Sequence, residues 1–102
     1  MKKRLLLFLS IVFLAGLFIN LSAQENKGIQ FHQNESWESI VALAKKENKL
    51  IFMDCYTVWC GPCKALARDV FPQEKVGDFF NPRFINVQYD MEKGDGKMLY
   101  NK

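Results

Sequence analysis

The chain has 102 residues, with 14 Lys and Arg against 11 Asp and Glu and a net charge of +3, enough for one small domain. Lys2, Lys3 and Arg4 account for the whole excess, so the remainder is neutral and offers no basic, aromatic-interleaved patch for a phosphate backbone; nucleic acid is not an expected partner. The 49% hydrophobic content is swollen by the first 23 residues, and the rest has the composition of an ordinary globular domain, which excludes collagen-like, low-complexity, disordered and multi-span membrane classes.

Met1-Lys2-Lys3-Arg4 is a short cationic start, followed by a 15-residue apolar run from Leu5 to Ile19 that only Ser10 and Gly16 interrupt. Small Ala23 then precedes Gln24. Charge, apolar stretch and small-residue exit in that order read as a secretory signal peptide over residues 1–23, cut after Ala23. The run falls short of the roughly 20 residues that span a bilayer comfortably. Bulky Leu21 before the cut fits the alternative, an uncleaved anchor, and only in that form would the membrane be a partner. With no Cys near the cut, a lipid anchor is not expected. The mature part is therefore expected to be periplasmic or secreted, where disulfides persist.

Residues 24–34 are a polar lead-in with a short edge strand, and residues 35–102 read as the folded part. Ser36 caps a predicted helix over Trp37–Asn48, where Trp37, Ile40, Val41 and Ala44 share one face. Leu50-Ile51-Phe52-Met53 is a continuous apolar run of the kind found in a strand buried on both faces, and it leads to Asp54, Cys55 and a turn. Pro62 opens a helix that runs to Val70 or Phe71, before Pro72. Gln73 to Phe80 is a second short helix, ended by Asn81-Pro82. Phe84 to Tyr89 is a second buried strand, Gly94-Asp95-Gly96 a loop, and Lys97–Lys102 the start of another helix. Helix, strand, helix, strand, helix specifies an α/β domain whose parallel strands are joined by a crossover. Trp37, Phe71, Phe79 and Phe80 are expected in the core.

The chemistry concentrates in Asp54-Cys55-Tyr56-Thr57-Val58-Trp59-Cys60-Gly61-Pro62-Cys63-Lys64. Two cysteines two residues apart at a strand-to-helix junction can close a small disulfide ring. A nucleophilic sulfur must be a thiolate, whereas a free thiol titrates near about 8.5. The unpaired N–H groups and positive end of a helix favour that anion. Cys60 is placed there, exposed, with Cys63 one turn in, shielded and able to attack a mixed disulfide. Pro62 removes an N–H and stiffens the ring, and Lys64 adds a positive charge. Asp54, after an apolar run, is expected to be a buried acid with a raised proton affinity, suited to shuttling a proton. Tyr56 and Trp59 are expected to wall the site.

Trp59-Cys60-Gly61-Pro62-Cys63-Lys64 resembles the active-site signature of the thioredoxin family, and Asp54, six residues before Cys60, resembles the family's buried acid that assists the resolving cysteine. Val70-Phe71-Pro72-Gln73-Glu74-Lys75-Val76 and Phe84-Ile85-Asn86-Val87 are similar to secreted thioredoxin-like domains related to the C-terminal domain of periplasmic thiol:disulfide interchange proteins. The resemblance covers Phe31 to the end. It implies a thioredoxin-like fold and a Cys60–Cys63 redox disulfide needing no metal or organic cofactor. It also implies a substrate face including Trp59, Gly61, Pro62, Tyr56 and Lys64. The partners would be protein thiols or disulfides and a membrane or protein electron donor. The family continues with a strand beginning at a cis-proline that faces the disulfide, and Pro72 and Pro82 come too early for that part. The chain is thus expected to be the N-terminal portion of the fold, a fragment whose activity belongs to the intact parent.

Blander readings stand beside this one. The pair could be a structural staple in a non-catalytic binding or assembly module, although so short a loop restrains the unfolded chain little. It could be half a zinc site completed by Cys55 and His32. Cys55 reads as a buried strand residue, or as a third thiol able to scramble with Cys60. Asp54 could be a plain strand-end carboxylate, and His32 a solvated lead-in residue.

Overall fold

The computed structural model describes residues 27–102; the predicted signal segment and cleavage point lie outside them. The six elements are α1 (Trp37–Glu47), β1 (Leu50–Tyr56), α2 (Gly61–Asp69), α3 (Glu74–Phe80), β2 (Phe84–Asp90) and α4 (Gly94–Tyr100). Among the described residues no helix is long and apolar enough to cross a membrane.

α1 begins where expected because Ser36 Oγ accepts the Ser39 N–H at 3.1 Å. Glu38 in its first turn and Lys45 and Lys46 in its last complement the helix dipole, and Asn48, at φ 53°, ends it in the left-handed region. Its inward face is Ile40 and Ala44, both buried, flanked by Trp37 and Leu43. Leu43, rather than the predicted Val41, packs against the core.

β1 and β2 pair in parallel, from Leu50 opposite Phe84 to Tyr56 opposite Asp90, with α2 and α3 in the crossover between them. On the other side of β2, the His32 N–H donates to Asn86 O at 2.8 Å and the Gln88 N–H to His32 O at 3.1 Å, so the lead-in meets β2 through an isolated bridge at His32 in place of the expected short edge strand. β2 is thus flanked on both sides, and Ile85, Asn86, Val87 and Tyr89 are buried. β1 is not buried on both faces as its apolar run predicts: Leu50 is 75% exposed and most of the strand is half-buried. It also continues past Met53 through Asp54 and Cys55 to Tyr56. Backbone pairing with β2 carries the strand onward after its side chains turn polar.

The two-residue period of the strands sorts side chains onto two faces. One carries Ile51, Met53, Ile85, Val87 and Tyr89 against α1, Met91 and Leu99. On the other, Phe52 meets Phe80 with ring centroids 4.8 Å apart, and Phe31 meets Phe71 at 5.2 Å, both edge to face. Phe79 is an exception to the predicted core. It is 50% exposed, with the Arg83 guanidinium 4.2 Å from its ring centroid.

The Gly94-Asp95-Gly96 stretch is not a loop but the first turn of α4. Asp95 Oδ2 accepts the Trp37 N–H at 2.6 Å, tying α4 to the start of α1. Gly96 is buried where a side chain would run into the Asp90 carbonyl, so this glycine answers a packing demand inside a helix. A second close approach joins Gly28, at φ +91°, to α3. The Ile29 N–H donates to Phe71 O at 2.8 Å, and Asn81 Nδ2 to Gly28 O at 3.0 Å. A Cβ on Gly77 would collide with the Gly28 backbone. In a free helix Gly→Ala gains about 1 kcal/mol. Overpacking against backbone costs about 1–3 kcal/mol. Gly77→Ala is therefore expected to destabilise, read as a lower denaturation midpoint with unchanged slope.

Candidate active site

The end of β1, the turn Thr57-Val58-Trp59 and the first turn of α2 build the site. The Cys60 N–H donates to Thr57 O at 3.2 Å, which closes the turn and delivers Cys60 to the N-cap of α2. There the Cys63 N–H donates to Cys60 Sγ at 3.2 Å, and Cys60 and Cys63 are joined as a disulfide with Cα atoms 5.3 Å apart. The sulfur takes the place that a Ser or Asp oxygen fills at other helix starts. Both cysteines are half-buried, so Cys60 is less exposed than the sequence predicts, while Gly61 and Pro62 are exposed beside them. Apart from its chain neighbours and the backbone of its own helix, nothing lies within 4 Å of where a Gly61 Cβ would sit, which leaves open surface next to the disulfide.

Trp59 is 71% exposed, and its indole Nε1 donates to Glu92 Oε1 at 2.7 Å, which ties the disulfide loop to the segment after β2. A cleft of about 340 Å³ runs beneath the loop, lined among others by Asp54, Tyr56, Thr57, Cys63, Lys64 and Gln88. The structure thus gathers Asp54, Tyr56, Cys63 and Lys64 into one space, while exposed Trp59 is not among the residues that line it. Asp54 is half-buried rather than fully buried, and Gln88 Nε2 donates to its Oδ2 at 3.0 Å. Thr57 Oγ1 is buried there without a hydrogen-bond partner. A larger cleft of about 670 Å³ over the strand ends shares Tyr56 and Val58 but contains no cysteine.

Cys55 departs from its predicted burial. It is exposed, not buried. The strand period turns it to the sheet face opposite Asp54. The protein around its sulfur, and then the charge of Asp54, push its thiol above the ordinary range. The zinc arrangement is not assembled: Cys60 and Cys63 bond to each other, and His32, in the solvent-accessible lead-in, has its Nδ1 3.0 Å from Glu35 Oε1. Among the described residues no three His, Cys, Asp or Glu side chains converge on a metal position.

Gln88 and Glu92 are site residues that the sequence reading does not single out. Gln88 depends on strand register, which places it opposite Asp54. Glu92 lies in a segment without periodicity, and only its sequence proximity to β2 hints at a place near the strand ends.

Comparison with known proteins agrees with this geometry. A family model described as thioredoxin-like matches residues 31–102. Thioredoxin H7 of Arabidopsis thaliana is 40% identical over 62 residues, which covers 61% of this chain and 46% of that protein. Thioredoxin H2-1 of Oryza sativa subsp. japonica is 32% identical over 66 residues, covering 65% and 46% respectively. The solution structure of a candidate disulphide-isomerase from Bacteroides thetaiotaomicron superposes with a TM-score of 0.64 at 44% identity, over 76% of this chain and 63% of that one. The chain belongs to the thioredoxin-like family. It spans less than half the length of the two plant thioredoxins.

A raised thiol pKa leaves less thiolate at a given pH, and stability tied to the neutral thiol is lost as pH rises through the shifted value. With Cys60 and Cys63 oxidised, iodoacetamide labelling of Cys55 is expected to reach half-maximal rate at a higher pH in the folded protein than in urea. Asp54→Asn is expected to bring the folded midpoint down.

Proposed function

We propose that the intact protein is a thiol–disulfide oxidoreductase that reduces disulfides of other proteins outside the cytoplasm. The observation that carries this reading is the Cys60–Cys63 disulfide at the N-terminus of α2, with a backbone N–H aimed at Cys60 Sγ. The same donors and the helix dipole favour a Cys60 thiolate once the pair is reduced.

In the reduced protein the Cys60 thiolate attacks one sulfur of a substrate disulfide. The Cys60–substrate bond forms, the substrate bond breaks, and the departing thiolate takes up a proton. Cys63 then gives its proton to Asp54 and attacks Cys60 Sγ; the Cys60–substrate bond breaks, and the second substrate sulfur leaves as a thiolate that takes up the proton held by Asp54. Two electrons pass from the protein dithiol to the substrate, and a dithiol donor, either another protein or a membrane relay, restores the starting state. Electrons move between sulfurs throughout, so the reaction calls for no metal or organic cofactor. Gly61-Pro62 favours the reducing direction. Trp59, Tyr56, Gly61, Pro62 and Lys64 offer the substrate face. Relatives that include thioredoxins and a candidate disulphide-isomerase support the class of reaction. The charge and apolar pattern of residues 1–23 supports export.

In an insulin-precipitation assay of the full-length protein, Cys60→Ser is expected to reduce the rate to the background of the thiol reagent. Cys63→Ser is expected to accumulate mixed disulfides through Cys60. Parent-like behaviour of both variants would show that the pair is a structural staple. N-terminal sequencing of the exported protein is expected to begin at Gln24.

A further inference from the structure

Asp54 and Gln88 are register partners on adjacent parallel strands, on the sheet face that looks toward α2. Gln88 Nε2 donates to Asp54 Oδ2 at 3.0 Å, and Gln88 Oε1 in turn accepts from Gln33 Nε2 at 2.6 Å. The three side chains form one directed line from the solvent-exposed lead-in, through β2, to the carboxylate in the cleft of Cys63.

A glutamine amide can present either end to a neighbour. Turned round, it would set its own oxygen against a carboxylate oxygen and leave its NH₂ facing another donor. The Asp54 carboxylate, an acceptor only, selects the NH₂ end, and Gln33 Nε2 satisfies the Oε1 that then points outward. Among the described residues, Gln88 is the side chain that holds the Asp54 carboxylate, and it is neutral. The titratable groups that line the cleft with Asp54 are Tyr56 on β1 and Cys63 and Lys64 on α2, whereas Cys55 and Tyr89 belong to the opposite sheet face. On the lead-in, His32 and Glu35 bond to each other. Lys64 lines the same cleft, but the hydrogen bond on the carboxylate comes from the amide. A single neutral N–H steadies the carboxylate without the full pull of a cation. That suits a group which must accept a proton and later release it.

We infer that Gln88, whose outward oxygen Gln33 satisfies, is a positioning residue for Asp54 that sets the pH range in which Cys63 is deprotonated. This rests on the oxidoreductase reading and on Asp54 as the proton acceptor in it. The line keeps Oδ2 occupied and leaves Oδ1 to exchange the proton.

The test uses the reduced full-length protein and Ellman's reagent, with all variants made in a Cys55→Ser background so that the exposed third thiol adds no release of its own. The first thionitrobenzoate released reports attack by Cys60, and the second reports resolution by Cys63, so the two steps separate in one trace. The rate of the second step is followed against pH. Gln88→Lys is expected to move the midpoint of its acidic limb down by about one to three pH units, as a cation beside a carboxylate does. Gln88→Glu is expected to move it up, and both should leave the pH profile of the first step in place. Shifts of opposite sign are not produced by loosened packing. Gln33→Ala, at an exposed residue, keeps the test open if the Gln88 variants do not fold, and it is expected to move the midpoint up. Asp54→Asn separates the two levels of the argument. If it leaves the limb unchanged, Asp54 is not the acceptor and both readings fall. If it removes the limb while the Gln88 and Gln33 variants leave the midpoint in place, or Lys and Glu move it in the same direction, the positioning role is overturned and the oxidoreductase reading stands.

Discussion

The parallel pairing of β1 with β2 is the constraint on which the rest depends. It fixes which side chains share a face. A slip of one residue would send Asp54 and Phe52 to the side of α1 and bring Cys55 beneath the disulfide. The observed register instead assembles an aliphatic layer under α1 and α4, and an aromatic layer with an acid and an amide under α2 and α3. The burial of Ile85, Val87 and Tyr89 on the first face holds the second in place. Packing of the core and placement of the chemistry are therefore one decision.

The disulfide depends on that frame at one remove. β1 ends beside the site, the Thr57–Cys60 turn reverses the chain, and α2 starts with sulfur as its capping atom. Reduction and oxidation thus change an atom that also serves a helix end. A thiolate keeps the backbone N–H partner, and a disulfide sulfur accepts it more weakly. The redox state of Cys60 and the integrity of the first turn are coupled by the same hydrogen bond.

Much of this was legible from residues. Ser36 and the spacing of Trp37, Ile40 and Ala44 specify α1, and Cys60-Gly61-Pro62-Cys63 between an apolar run and a helical pattern specifies the site. What was not legible required a partner in space. β1 continues past Met53 because β2 accepts its backbone, a tertiary effect that overrides Asp54 and Cys55. α4 starts early because Gly96 must pass close to Asp90, and two glycines in three residues otherwise read as a loop. Phe79 looks like core by period but lies under Arg83 at the surface. Cys55 depends on strand parity, and Gln88 on register. No local pattern in Phe84–Asp90 distinguishes Gln88 from any polar residue on a strand.

The clasp of the lead-in onto the back of the domain has a consequence for how the chain acquires its shape. Gly28 O waits for Asn81, 53 positions later, and Gln33 for Gln88, 55 positions later. Contacts of such long reach close late, after the loop entropy between them has been overcome. A stretch synthesised early therefore stays unattached until β2 has left the ribosome. The line of amides that meets Asp54 is completed only when that seam shuts, so the carboxylate gains its surroundings after the two strands have paired.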